Sequence, residues 1–343
     1  MTANLSALAS EHRVLFAIDL EPLQGKRFQP TGFPGLGAAT YERPGKTSLL
    51  VESAQSMANR LELTIWDAAK NDVVNAVKGI SHVRVLRKDK RFLTDTVLEA
   101  HRLNSPYLLE GSNKTFFKEL TGALGALESG PIDRKRLAET LLDYDVGSLL
   151  HGVFLAKKEL AGGRLRVARA LSAFIEAEDV KNVASGGVKN DHVNPSGDTK
   201  KGFGNVPFAR DEFTAGRIVL YANLDLAQIR GYGLPNAASH LLALLGLLKL
   251  RTLVDGDLRL RSACDLRLAE EKAPIVATKP EGFVLPSREE LEQALKGPLA
   301  ECAKAMKVRE AEYADDLKKQ DEPKPGAAGN ADDDQDNSEG EGE

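Results

Sequence analysis

Two cysteines in 343 residues, Cys264 and Cys302, are too few and too unlike in context for a disulfide framework or a cysteine-based zinc site. They are read as small apolar residues. The chain also lacks a stretch approaching the roughly 20 apolar residues that a membrane span needs. Met1 to Glu11 has no basic region leading into an apolar run. A soluble, cytoplasmic protein is therefore expected. Neither a G-x-S-x-G elbow nor an H-E-x-x-H pair is present, and the six histidines (His12, His82, His101, His151, His192, His240) are scattered. No constellation for nucleophilic or metal catalysis results, so no catalytic residue, metal ligand or cofactor is assigned. Strand-like segments also lack the aromatic signature of RNA-recognition motifs, which stack bases on their sheet. Any RNA would be held instead by loops and helix ends.

What is there begins with an ample core, since 42% of the residues are hydrophobic. The formal charge of -4 averages two different polymers. From Asp321 onward the chain carries nine of its 50 acidic residues and one of its 46 basic ones, so the body before it holds 45 basic against 41 acidic residues. Rich in acids, Pro and Gly and nearly free of apolar side chains, residues 321–343 cannot repay the entropy of ordering, and the sequence predicts a disordered tail. A mildly basic body permits nucleic-acid binding without requiring it.

Along the chain, Arg13 to Leu20 alternates Val14, Phe16, Ile18 and Leu20 on one face, a half-buried strand. Pro22 to Gly45 holds five glycines and four prolines and is read as irregular. Ser53 is placed to cap a helix whose apolar positions are Ala54, Met57, Ala58, Leu61 and Ile65. Residues 67–144 look like an insertion, with a strand near His82 to Leu86, a basic patch from Arg87 to Arg91 and a helix begun by Asp133. A helix is expected from Arg164 through Ala170, running into a strand near Ala173 to Val180. The polar segment Ala184 to Asp211 reads as a projecting loop or hairpin in which Phe203, Val206 and Phe208 stand out. A long strand from Phe213 to Leu226, an apolar helix capped by Asn236 and reaching about Leu250, and a strand from Asp257 to Leu266 follow. A final amphipathic helix spans Arg288 to about Lys319. Without the insertions the order is strand, helix, strand, strand, helix, strand: an α+β, ferredoxin-like (RRM-like) arrangement.

Two phosphate-binding motifs fail on inspection. Gly45-Lys46-Thr47 has Thr40 where a P-loop needs its first glycine, and no strand precedes it. Gly231-Tyr232-Gly233 has Asn236 in place of the third glycine of a dinucleotide fingerprint. A tight turn explains it better. Asp191 and His192 are the one adjacent pair suited to acid–base work, and a solvated loop tip is the commoner use of such a pair.

Several long segments kept in order carry a resemblance: Gln24 to Tyr41, Leu50 to Glu62, Val183 to Asp191, Gly204 to Gly216 and Tyr221 to Gly233. Together they resemble the backbone subunit of CRISPR Cascade complexes, the seventh Cas family of the RAMP superfamily, in its type I-G (formerly I-U) branch. The resemblance implies a hand-like subunit. Residues 13–66 and 145–270 would form a discontinuous ferredoxin-like palm, 67–144 an inserted finger-like region, 184–211 a thumb and 287–320 a C-terminal helix. It implies copies that stack as a homo-oligomeric filament along CRISPR RNA and present the guide to target DNA in antiviral defence. Expected partners are the fused guide-processing and capping subunit and the large subunit, with no membrane.

A filament that accepts any guide should grip phosphate and ribose and leave base edges free. Ser53, Gln55, Ser56, Asn59 and Arg60 at a helix start are suited to this, with Arg43 and Lys46 adding charge and Gly231 and Gly233 allowing close backbone approach. In the thumb, Lys189, Lys200, Lys201 and Arg210 would track phosphates, and Phe203, Val206 or Phe208 would wedge between bases. The rival reading is a RAMP-type endoribonuclease cutting guide-paired RNA with Asp191 or Asp198. The resemblance favours a protein that is not an enzyme.

Overall fold

The computed structural model describes residues 5–33, 37–127, 130–256, 258–271 and 273–317. In chain order the elements begin with β1 (Arg13–Pro22), β2 (Gly32–Phe33), β3 (Gly37–Ala38), β4 (Thr40–Arg43), β5 (Lys46–Glu52) and α1 (Ala54–Leu63). The finger-like stretch holds β6 (Trp66–Asp67), β7 (Asp72–Val73), β8 (His82–Arg87), β9 (Phe92–Asp95), α2 (Pro106–Leu109), α3 (Thr115–Leu124) and α4 (Arg134–Tyr144). Next come α5 (Gly147–His151), β10 (Val153–Leu155), β11 (Leu165–Val167), β12 (Leu171–Glu178), β13 (Lys181–Lys189), β14 (Val206–Thr214) and β15 (Arg217–Asp225). The chain then forms α6 (Leu226–Gly231), α7 (Asn236–Asp255), β16 (Leu258–Arg261), β17 (Cys264–Leu268), α8 (Arg288–Cys302) and β18 (Val308–Tyr313).

The architecture is mixed α+β, built on a seven-stranded sheet in the order β16-β17-β1-β15-β12-β5-β4. Its pairings are antiparallel throughout. Period-two alternation decides which side is covered: Val14, Phe16, Ile18 and Leu20 of β1 and Leu171, Ala173, Ile175 and Ala177 of β12 are buried, while the residues between them are more open. The covering layer is α1 and α7, which touch each other. Thirteen of the twenty residues of α7 are buried. At Gly246 a Cβ would lie 2.9 Å from a Leu224 methyl of β15, so a small residue sets how closely this helix lies on the sheet.

Several expectations need correction. Pro22 to Gly45 is not wholly irregular: β4 turns through Pro44-Gly45 into β5, an edge hairpin whose seven-residue second strand was not anticipated. Arg164 to Ala170 forms β11 rather than a helix, because Leu165 and Val167 alternate and pair with β10. Phe213 to Leu226 is two strands broken at Ala215-Gly216, and Leu258 to Leu268 is likewise a hairpin, β16-β17. The N-cap of α7 is Pro235, not Asn236. The final helix stops at Cys302, after which β18 lies parallel to β8 of the finger-like region, with Val308 opposite His82 and Tyr313 opposite Arg87. Helix α7 is also long and apolar enough to cross a membrane, contrary to the reading of the sequence, although most of it is buried as a core helix. The tail after Asp321, the start of the last strand at Asp257 and the helix end at Lys319 lie outside the described residues.

Beneath the far end of the sheet lies a group of buried charges. Arg102, after the β8-β9 hairpin, grips Glu62 of α1 through two hydrogen bonds, Nε to Oε1 at 2.9 Å and Nη2 to Oε2 at 2.6 Å. Lys249 of α7 is 1% exposed and its Nζ lies 2.7 Å from Nε2 of His151 in α5. Burial pushes Glu62 up to about 7 against the pull of Arg102 and Lys249. Burial likewise pushes Lys249 down to about 8, with the Glu62 charge opposing.

Two outcomes follow from this group. Glu62→Gln leaves the Arg102 guanidinium buried without its carboxylate, which should cost about 3–5 kcal/mol in urea unfolding. Because Lys249 titrates near 8 when folded and near 10.5 when unfolded, the unfolded chain binds its proton more strongly between those values. Stability should therefore rise with pH across that window and fall as pH drops from 10.5 toward 8. Lys249→Met should flatten this slope relative to the parent protein, and an unchanged difference between the two across pH 8–10.5 would refute the assignment.

Candidate nucleic-acid interface

Helix α1 begins as the sequence suggests. Ser53 sits in extended geometry and its Oγ accepts the Ser56 N–H at 3.2 Å, so this hydroxyl is committed to the cap. Gln55 and Asn59 are exposed, whereas Ser56 is buried. Arg60 points away from the helix start: its Nη atoms donate to the carbonyls of Arg259 and Leu260, and its Nε lies 3.7 Å from Glu52. Arg261 also pairs with Glu52 and donates to the carbonyls of Gln29 and Val51. Arg60 in this structure fastens α1 to β16.

Arg43 and Lys46 face each other across the β4-β5 turn. Arg43 is paired with Glu178 at 3.0 Å, and Lys46 is exposed. Thr47, one residue on, accepts the Val180 N–H at 2.9 Å. The edge hairpin therefore ends beside the root of β13. Ser53, at the other end of β5, is about 20 Å from Lys46 at the rise of a strand.

The projecting hairpin is real and long. β13 and β14 pair along nine residues, from Lys181 opposite Thr214 to Lys189 opposite Val206, as a two-stranded sheet of their own. No residue of β13 is buried. The end of the Phe208 ring lies beside Gly187, where a Cβ would meet it at 3.0 Å, and the Arg210 guanidinium sits 5.1 Å from the centre of that ring. Val206 is half-exposed, while Phe203, at the tip, is 51% exposed. Lys189, Lys200 and Lys201 are exposed, with Lys201 4.0 Å from Asp198.

Asp191 organises the tip. One carboxylate oxygen accepts the N–H groups of Val193 and Asn194, and the other accepts the Gly204 N–H at 2.8 Å. These backbone donors hold its carboxyl below the ordinary aspartate value. Gly204 has φ +83°, and a Cβ there would lie 2.4 Å from the Gly197 carbonyl oxygen, so the turn requires glycine. Asp198 accepts the Lys200 N–H at 3.1 Å.

Gly231 and Gly233 are elsewhere. They follow the far end of β15, whose nine residues separate them from the hairpin root by roughly 26 Å. Gly233 lies beside the Lys135 side chain, and Gly231 lines a cleft of about 1310 Å³ between the finger-like region, β10-β11 and α6. Arg102, Arg134, Arg164, Arg166 and Arg169 line the same cleft, and among the described residues no acidic one does. The structure thus brings the edge hairpin and the thumb together, sets the α1 start further along the sheet, and places the two glycines at the opposite end.

Sequence reading passed over the cleft. Arg164, Arg166 and Arg169 lie within six residues, a signal visible in the chain, but the expected helix would have spread them around its surface. It also missed Phe174 of β12 and Tyr221 of β15, which stack at 5.2 Å on the open face of the sheet. Glu176 and Glu178 alternate with Phe174, giving that face an acidic surround poorly suited to a phosphate chain.

Residues 14–182 match the model of the family described as CRISPR-associated protein GSU0053. No curated protein matches the chain significantly. Among solved structures, a chain titled "CRISPR RNA-guided surveillance complex, pre-nicking" is similar at 16% identity and a TM-score of 0.37, over 74% of this chain and 76% of that one. Csc2 of Thermofilum pendens is similar at 12% identity and a TM-score of 0.30, over 88% and 80%. Neither score carries an argument about topology or site.

The tip geometry makes one variant informative. Asp191→Ala removes the acceptor of three backbone N–H groups from a hairpin that buries little. The amides of Val193 and Gly204 should exchange at least tenfold faster, with the melting temperature of the whole protein unchanged. Unaltered exchange would show that the carboxylate does not hold the tip.

Proposed function

We propose that this chain, whose residues 14–182 match the GSU0053 family model, is a CRISPR-associated protein that coats CRISPR RNA as the repeated backbone subunit of a type I-G Cascade effector complex. The observation that carries this reading is the thumb. A nine-pair hairpin with no residue of its first strand buried gains little from packing on its own chain. It presents Lys181, Lys189, Lys200, Lys201 and Arg210 together with an exposed Phe203, cations for a phosphate backbone and an apolar group for a base step.

The palm reading has support from strand order. Without the β4-β5 edge hairpin, β17-β1-β15-β12 is the fourth, first, third and second strand of a strand–helix–strand–strand–helix–strand unit, with α1 and α7 packed on one face. This order supports the ferredoxin-like reading. The thumb leaves one end of this sheet and the arginine cleft occupies the other, which suits a head-to-tail contact that repeats without closing. Such a contact generates a filament. Partners in this reading are further copies, CRISPR RNA, target DNA paired to the guide, the guide-processing and capping subunit and the large subunit.

A binding role without catalysis also suits the tip. Asp191 spends both carboxylate oxygens on backbone N–H groups, the arrangement of a turn rather than of an acid–base catalyst.

Purified full-length protein mixed with single-stranded RNA of varied sequence should form higher-order species whose affinity is independent of sequence. Log affinity should fall with log salt at about 0.7 per phosphate held. Lys200→Ala with Lys201→Ala should reduce that slope by about 1.4, two contacts' worth. A monomer that ignores RNA at low salt, or a strong preference for one sequence, would end the proposal.

A further inference from the structure

The arginine-lined cleft has a floor that the sequence did not reveal. His151 lines it, is 1% exposed, and its Nδ1 is buried with no hydrogen-bond partner. Such an atom costs stability unless something occupies it. Behind the ring, Lys249 Nζ lies 2.7 Å from Nε2. Burial, followed by the charges of Lys249, Arg102 and Arg169, keeps the imidazole neutral at ordinary pH. An ammonium has no lone pair to offer, so Nε2 must be the acceptor and Nδ1 must carry the ring proton. The floor therefore holds an N–H donor of fixed tautomer, without an acceptor among the described residues.

The walls ask for the same kind of ligand. Among the described residues no carboxylate lies within ion-pair distance of Arg134, Arg166 or Arg169. Arg102 is committed to Glu62, and Arg164 donates to the carbonyls of Leu127 and Gly130, which positions both guanidiniums. Arg169 is exposed and feels the repulsion of Arg102, only partly offset by Glu62, a strain that a bound anion would relieve. One wall is different: Phe154 is 47% exposed with the Arg166 guanidinium 4.8 Å from its ring centre, next to Val153 and Val167. An aromatic face beside a cluster of guanidiniums suits a base and its phosphate on one strand. Gly152 keeps the wall tight, since with φ +79° its absent Cβ would lie 2.7 Å from the Val167 carbonyl oxygen.

Resting on the RNA-binding reading, we propose that this cleft is the seat of a single-stranded RNA segment, with Arg166, Arg169 and the His151 Nδ1–H holding a phosphate and Phe154 facing the adjoining base. Lys249 is a positioning residue that fixes the donor. The cleft lies roughly 26 Å from the root of the thumb of its own chain, the length of β15, so each protomer would hold the strand at two separate places.

The test uses the full-length protein and a fluorescent single-stranded RNA of mixed sequence, titrated at several salt concentrations. Arg166→Ala with Arg169→Ala should weaken binding at least tenfold near 0.1 M salt and lower the salt slope by about 1.4, two contacts' worth for a single strand. The thumb pair Lys200→Ala with Lys201→Ala serves as the comparison. Because His151 is buried and its replacement risks misfolding, it is followed instead by the 15N and 1H signals of its ring in the intact protein. The Nδ1–H signal should be present without RNA and shift on adding it. Cleft variants that bind as the parent does, while the thumb pair is weakened, would overturn the cleft and leave the proposed function standing. No RNA binding by the parent would overturn both. A ring signal that moves with millimolar inorganic phosphate but not with RNA would assign the cleft to a small free anion and overturn the strand.

Discussion

The fold depends most on a set of charged and polar groups that cannot reach water. Glu62, Arg102, Lys249 and His151 belong to α1, the turn after the β8-β9 hairpin, α7 and α5, four elements far apart in the chain. An unpaired charge in that position is costly, so each group holds its element where its partner is. The helices on the sheet and the finger-like region are thereby fixed together, and two of the set, Arg102 and His151, line the arginine cleft. Apolar packing supplies most of the driving force, but it is tolerant of small shifts in a way that hydrogen-bonded ions are not.

A second constraint concerns the long hairpin. Glu178 lies opposite Arg217 in the palm, and Lys181 opposite Thr214 in the thumb, with no slip of register between them. The palm and thumb strands are one continuous ribbon. What divides it is the positive φ of Asp179 and the sharp connection at Ala215-Gly216, whose Gly216 N–H donates to the carbonyls of Glu178 and Asp179. Beyond that point the ribbon leaves the helix layer and has nothing to bury against. Phe28, bridged to Phe213 by two backbone hydrogen bonds, is the last support at its root. A projecting arm follows from the continuity of pairing together with the loss of a covering layer.

The open face of the sheet and the cleft divide the charge unevenly. Arg43 and Arg217 on the sheet side are neutralised by Glu178 and Asp19. Among the described residues, Arg134, Arg166 and Arg169 of the cleft lie within ion-pair distance of no carboxylate. A net count over the chain, or even over its body, averages these regions and hides the distinction.

Local signals were legible because they depend on neighbours in the chain. The strand at Val14 to Leu20, the Ser53 and Asp133 caps and the projecting segment all follow from periodicity and turn chemistry. Misreadings came where a short segment fits two periods, as at Arg164 to Ala170, or where a turn lacked an unmistakable signal, as at Ala215-Gly216. The β18-β8 pairing joins residues more than two hundred positions apart, and no local pattern at Val308 to Tyr313 names its partner. The same holds for the site. Sequence alone determined that cations and isolated apolar groups stand on a projecting arm. Only the tertiary structure decided that Arg60 is tied to β16, and that five arginines and a histidine of fixed tautomer share one cleft, because those facts depend on which distant surfaces exclude water from one another.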